Sequence, residues 1–243
     1  MIKFFRKIRY DLMEKNKTGK YFKYAIGEII LVVIGILIAL SINNWNENKK
    51  LSRVEIEMLN EIKSSLEIDL EDLNAEHKYL RRNFNSQKII IEWIENGESF
   101  NDSLSKHLNN IQMGIEFRCQ SAPYETLKQL GLNTIKNDSL RKHISLLYDL
   151  RYENYTVMIG LRRNFKSKLT DLEARYFNEI GFMDKTAMKP IDIVGLRQDN
   201  AFLFTLKSFN NFDKLLINFI IPRVKEEINK TKNNIDAEIK KRS

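Results

Sequence analysis

Residues 24–45 read YAIGEIILVVIGILIALSINNW, and no side chain from Ile29 to Asn46 carries a charge. At about 1.5 Å of rise per residue the stretch covers roughly 32 Å as a helix, the thickness of a bilayer's hydrocarbon core. Aromatic residues close both ends, at Tyr21 and Tyr24 on one side and Trp45 on the other, as interfacial belts do. One membrane-spanning helix is the reading, and the rest of the chain is arranged about it.

Residues 1–28 hold eight basic side chains against three acidic ones, so +5 of the formal +8 lies there. The bases Lys3, Arg6, Lys7, Arg9, Lys20 and Lys23 precede the span, whereas acids and bases alternate after it. The positive-inside rule then puts residues 1–23 in the cytoplasm and residues 46–243 across the membrane. Ile2, Phe5, Ile8 and Leu12 recur at spacings of three and four, which predicts a leader helix lying in the headgroup layer, its bases against the lipid bilayer. The alternative is a disordered basic flank that only sets orientation. Asn16 to Gly19 are expected to turn before the span. Ala39 and Ser41 form a small-x-small pair that a signal peptidase could accept. The leader is longer than a usual n-region, though, and the apolar stretch is long enough to span, so it is expected to stay uncut.

Within the span, Gly35 and Ala39 make a small-xxx-small pair of the kind that lets two helices approach, either for self-association or as ordinary membrane-helix composition. Glu28, one turn inside Tyr24, is expected to anchor at the interface, with a partner contact or proton role as the alternative. Beyond the span, only 9 Gly and 3 Pro in 243 residues disfavour turn-rich β architectures. The fold class is therefore all-α: a single N-terminal transmembrane helix continuing into a long antiparallel three- or four-helix bundle, in one domain. Cys119 is the only cysteine, which excludes an intrachain disulfide and is expected to be an inert packing residue.

Asn46 to Asn96 contains neither Gly nor Pro. Leu51, Met58, Ile62, Leu66, Leu73, Leu80 and Phe84 recur mostly at three, four or seven, so the helix should run on to a stop at Asn96-Gly97. The crowded Ile89, Ile90, Ile91, Trp93 and Ile94 call for a covering element. A short helix capped by Asn101 or Asp102, and another from Ser121 with Pro123 in its first turn, are expected to close the far end together. Asn137 should cap a helix that returns toward the membrane with Leu140, Ile144, Leu147, Tyr155, Met158, Phe165, Leu169, Leu172, Tyr176 and Ile180 on one stripe, ending at Gly181. Residues 183–198 read as a connector with a short helical turn. A last helix from near Asp199 carries Phe202, Leu206, Phe209, Leu216, Phe219, Val224 and Ile228, bent or interrupted at Pro222.

Chemistry-bearing motifs are few. His77, His107 and His143 are far apart, and there is no phosphate loop, nucleophile elbow or zinc spacing, so no catalytic, metal or cofactor-binding residue is assigned. Asp and Glu alternate with Lys and Arg and are expected on solvated faces, as are Arg162, Arg163, Lys166 and Lys168, for which an anion site is the alternative.

The run from Phe4 to Glu47 resembles the start of an uncharacterised single-pass membrane family of Bacteroidota, known as a domain of unknown function. Ser121 to Asp149, SAPYETLKQLGLNTIKNDSLRKHISLLYD, is similar to that family's central segment. The resemblance implies an inner-membrane protein with a periplasmic helical domain and no assigned activity. The expected function is a membrane-anchored interaction or sensing module without catalysis or cofactor. An oligomerising scaffold and an enzyme with an unrecognised site are the alternatives. Expected partners are the bilayer, a second copy, or a membrane or periplasmic protein. Nucleic acid is not among them.

Overall fold

The computed structural model describes Tyr10, residues 18–181 and residues 188–242, and among these every regular element is a helix. The expected leader helix lies outside the described residues, as do Asn16 and Lys17. Thr18 and Gly19 do not turn; they open a helix, α1 (Thr18–Asn96), the first among the described residues. The chain divides into two units, residues 1–55 and 56–243.

In the first unit, Ile29 to Ile34, Ile36, Leu37, Ile38, Leu40 and Ile42 are exposed around the whole circumference of α1. It is a helix long and apolar enough to cross a membrane by length and composition. Such a surface is costly in water, at about 25 cal/mol per Å² of apolar area left uncovered.

The second unit begins with the rest of α1, which no glycine or proline interrupts, and Gly97 at φ 71° takes the left-handed turn that ends it. Asn101 rather than Asp102 caps α2 (Asp102–Asn110), accepting from Ser103 N at 3.0 Å. Ser121 and Pro123 open α3 (Ala122–Leu130), closed by Gly131 at φ 97°. Asn137 Oδ1 accepts from Ser139 N and Leu140 N to start α4 (Asp138–Leu146). A π-helical segment, Leu147–Tyr152, joins α4 to α5 (Glu153–Glu173). After α6 (Ile193–Gln198), Asp199 caps α7 (Asn200–Leu215), and a second π segment, Leu216–Ile220, leads into α8 (Ile221–Arg242). Pro222 neither stops this helix nor ends its apolar stripe. Its ring would crowd the carbonyl of Asn218, and the wide turn that includes Asn218 relieves that contact. Phe219, expected on the buried stripe, lies on the widened turn and is 66% exposed.

Direction along α1 follows from the side-chain pairs. Asp69 meets Tyr152, Glu76 meets Tyr155, and Asp213 joins Gln87 to Arg162, so α4–α5 rises in the same sense as α1. The expectation that residues 137–180 return along α1 is overturned. The return is made earlier by residues 113–121, which have no helical structure. Met113 is held at Asn83, Phe117 at Glu76 and Gln120 at Asp69. An extended residue rises about 3.3 Å and a helical one about 1.5 Å, so the seven steps from Met113 to Gln120 match the fourteen from Asn83 down to Asp69. The run α7–α8 is antiparallel to α1, with Lys225 at His77 (2.9 Å), Lys232 at Glu67 (3.2 Å) and Asp236 at Lys63 (2.6 Å).

Two hydrophobic clusters result. One joins Leu59, Ile62, Leu66, Leu73 and Leu80 to α3, to α4–α5 and to the second half of the last run. The other covers Ile90, Trp93 and Ile94 with α2, the end of α5, α6 and α7, which is the cover those residues call for. The short helices α2 and α3 therefore lie in different clusters and do not close one end together. Helix α5 stops at Glu173, so Tyr176 and Ile180 leave the stripe before Gly181, and irregular chain at Ile111, Phe177 and Met188 completes the second cluster's wall. Residues 183–187 of the connector lie outside the described residues; α6 is its helical turn.

The Asn137 cap carries the first prediction. Its Nδ2 also donates to Glu238 Oε2 at 2.7 Å, tying α4 to α8. Asn137→Ala is expected to cost about 1–2 kcal/mol in denaturant unfolding of the purified chain, and Asn137→Ser to recover the part owed to the cap.

Candidate functional site

The core stripe of α1 runs Ile62, Leu66, Asp69, Leu73, Glu76, Leu80, Asn83, Gln87, Ile90, Ile94, at alternating spacings of four and three. Four of these positions are polar, and all four are buried. Their main-chain partners lie in the extended segment and, for Gln87, at Ile111 just before it. Asp69 Oδ1 accepts from Gln120 N at 2.8 Å and a Glu76 oxygen accepts from Phe117 N at 3.0 Å. Asn83 Nδ2 donates to Met113 O, and Gln87 Nε2 donates to Ile111 O at 2.7 Å. An extended run against a helix has no neighbouring strand to satisfy its N–H and C=O groups, and buried ones must be paired. Side chains of α1 supply that pairing.

The acids are also held from α4–α5. Tyr152 O–H donates to Asp69 Oδ2 at 2.6 Å, and Tyr155 O–H donates to Glu76. Burial pushes both carboxyls up, against the downward pull of these tyrosines and the backbone N–H groups. The same burial, reinforced by the facing acids, pushes both phenols far above their ordinary range, so they remain donors. Higher up, two Arg162 N–H groups (2.7 and 3.2 Å) and the Gln87 amide (2.9 Å) converge on the two oxygens of Asp213. All three are donors, so they fit the ionised carboxylate, while burial pushes it up. In the other cluster Gln112 donates to Glu173, whose Oε1 has no partner, and burial pushes this carboxyl up to about 8.

Beside Asp69 the fold opens into a cleft of ≈310 Å³. The π segment shapes one wall: a turn wider by one residue shifts the stripe, so Leu147 and Tyr148 are both buried although adjacent in sequence. Tyr148 stacks on Tyr124 of α3 with centroids 4.5 Å apart and stands edge-on to Tyr152 at 5.3 Å. Tyr124 O–H donates to Asp149 Oδ2 at 2.5 Å; burial and that carboxylate push it up to about 12. Cys119 of the extended segment lines the same space. Burial and the nearby Asp69 push its thiol up, so it is protonated near neutral pH and is not primed as a nucleophile. The Tyr148 hydroxyl is buried and has no hydrogen-bond partner. Three aromatic walls, an orphaned hydroxyl and a rim of carboxylates are equipment for binding.

The residues assigned from sequence are elsewhere. Lys3, Arg6, Lys7 and Arg9 lie outside the described residues, and Lys20, Tyr21 and Tyr24 fall on α1 where side chains are outside them too. Lys23 and Trp45 are exposed, the latter with Lys49 Nζ 5.3 Å from its ring, and Glu28 is half-buried. A Cβ added to Gly35 would meet nothing within 4 Å, and Ala39 is exposed. The three histidines are in three places: His77 at Lys225, His107 at Ser86, His143 at Asn234. Among the described residues no group of three His, Cys, Asp or Glu could hold a metal.

Two expectations are corrected. Arg162 is buried rather than solvated, while Arg163 beside it is exposed and pairs with Glu116 at 2.6 Å. Asp69, Glu76, Glu173 and Asp213 are likewise buried rather than on solvated faces. The legible signal was that Asp69, Glu76 and Asn83 fall in step with the leucines of the heptad. Tyr148 and Tyr152 were hidden by the π shift.

A family model described as "Family of unknown function (DUF6090)" matches residues 28–196, a span that includes the cleft and the polar stripe of α1. Comparison with the curated proteins and with the solved structures gives no match.

Proposed function

Because the chain belongs to the family of unknown function DUF6090, its role must be argued from its own residues, and we propose that it is a membrane-anchored helical binding module without catalytic activity. Residues 24–45 hold it in the inner membrane, the basic residues before them stay in the cytoplasm, and the second unit is a periplasmic three-helix bundle that takes up a ligand in the tyrosine cleft. The exposed apolar circumference of α1 and the basic residues before it support the anchor and its orientation. The cleft carries the binding reading. It is a concave space near the lower end of ligand-pocket sizes, walled by aromatics with a few convergent polar groups, and its wall is a π segment, a device frequent at functional sites.

Cys119 tests both parts, being the only thiol and lining the cleft. A membrane-impermeant maleimide is expected to label it in cells whose outer membrane alone has been opened. Labelling only after the inner membrane is lysed would reverse the topology. A low-molecular-weight extract of the source cells is expected to slow iodoacetamide alkylation of the dialysed, detergent-purified chain. If no fraction slows it, the binding reading falls.

A further inference from the structure

Resting on that reading of the cleft, we infer that its ligand is a small soluble primary alkylammonium ion, seated where the Lys128 ammonium now lies. Lys128 Nζ is 5.0 Å from the centroid of the Tyr124 ring, 2.8 Å from Glu125 Oε1 and 4.0 Å from Asp149 Oδ1. A ring face and two carboxylates are the surroundings in which an ammonium is held by quadrupole and charge together. The protein thus displays the chemistry of the seat with one of its own side chains.

That side chain is a weak occupant. Lys128 is a neighbour of both Tyr124 and Glu125 on α3 and reaches over the rim, its side chain 40% exposed. Exposed pairs of this kind hold with less than about a fivefold preference, so rotation into water frees the seat at little cost. The space behind is not filled by the lysine. It is bounded by Tyr148, Tyr152 and Cys119, which suit an alkyl chain. Tyr148 is 6% exposed and its hydroxyl is unpartnered, so a polar group at the far end of a ligand would pair with it. Glu125, Asp149 and Glu153 line the cleft against the single base Lys128, and displacing that base leaves a field that favours a cation and repels an anion.

The test uses the full chain in detergent micelles, with n-butylammonium chloride, a lysine side chain cut free, titrated at constant ionic strength against iodoacetamide alkylation of Cys119. Saturable slowing is expected. Lys128→Met should lower the concentration needed by about two- to sixfold by removing the internal competitor. Glu125→Gln with Asp149→Asn should raise it at least tenfold, and n-butanol, the neutral analogue, should not compete. Equilibrium dialysis of radiolabelled n-butylammonium makes the same comparison independently of thiol reactivity. The inference is overturned if Lys128→Met shows no saturable binding, if n-butanol competes equally, or if the carboxylate substitutions change nothing. Slowing by cell extract without slowing by n-butylammonium would leave a binding cleft whose ligand is not an amine; absence of both would remove the two proposals together.

Discussion

Replacing Arg162 with methionine is expected to lower the unfolding free energy by about 3–5 kcal/mol, the cost of stranding a buried charge. Asp213 is fully buried on α7, and the guanidinium supplies two of the three donors that reach it. Arg162 also lies 4.8 Å from the Phe209 ring, so the substitution removes a cation from both an anion and an aromatic face. Methionine restores most of the volume, which leaves the unpaired carboxylate as the main defect. The paired variant Arg162→Met with Asp213→Leu should regain most of the loss, because Gln87 keeps its bond to Ile111 O when the acid is gone. Denaturant unfolding followed by far-ultraviolet circular dichroism measures both. If the double variant is no more stable than Arg162→Met alone, the ion pair was not what the single change broke.

The second large effect is a dependence on pH set by Glu173. Its folded pKa is raised from 4.5 to about 8, mainly by burial, so the folded chain keeps a proton that the unfolded chain releases first. Below pH 4.5 both states are protonated and the group adds no slope. As pH rises from 4.5 to about 8 the unfolded state binds fewer protons than the folded one, and stability falls. Above that both are ionised and the loss is complete, on the order of 5 kcal/mol for a shift of this size at about 1.36 kcal/mol per unit. Glu173→Gln imitates the protonated carboxyl. It should match the parent at pH 4.5 and exceed it increasingly up to pH 8, as read from unfolding midpoints across that range. Asp69 and Glu76 are raised by burial too, so some slope of the same sign should remain. Equal stability of Glu173→Gln and the parent at pH 8 would show that the buried carboxyl ionises without penalty.

These effects come from residues whose sequence context looks ordinary. Glu173 stands in TDLEARY and Asp213 in NNFDKLL, each beside a base, as surface acids commonly do. What separates them from the exposed Glu125 is the element that lies over them, and that element is contributed from far along the chain. Asp213 and Gln87 are 126 residues apart, and Tyr152 and Asp69 are 83 apart. The extended segment did leave a trace, in the alternation of Ile115, Phe117 and Cys119 with Glu116, Arg118 and Gln120. A period of two over so few residues is easily missed beside long runs of period 3.6.

Signals confined to a few neighbouring residues were enough for much that is local: the uncharged stretch from Ile29, the helix that continues past it for want of a glycine or proline, its stop at Gly97, the cap at Asn137 and the helix start near Asp199. Each depends on contacts within about one helical turn, which the order of residues already specifies. Tertiary structure alone decided that α4–α5 runs with α1, because a short extended run covers as much length as twice as many helical residues and completes the return before α4 begins. It also decided which acids are buried, and that Tyr124, Tyr148 and Tyr152 meet around one cleft. Burial and pairing are properties of whichever surfaces come together, and side chains brought from distant parts of the chain acquire them only when the helices dock.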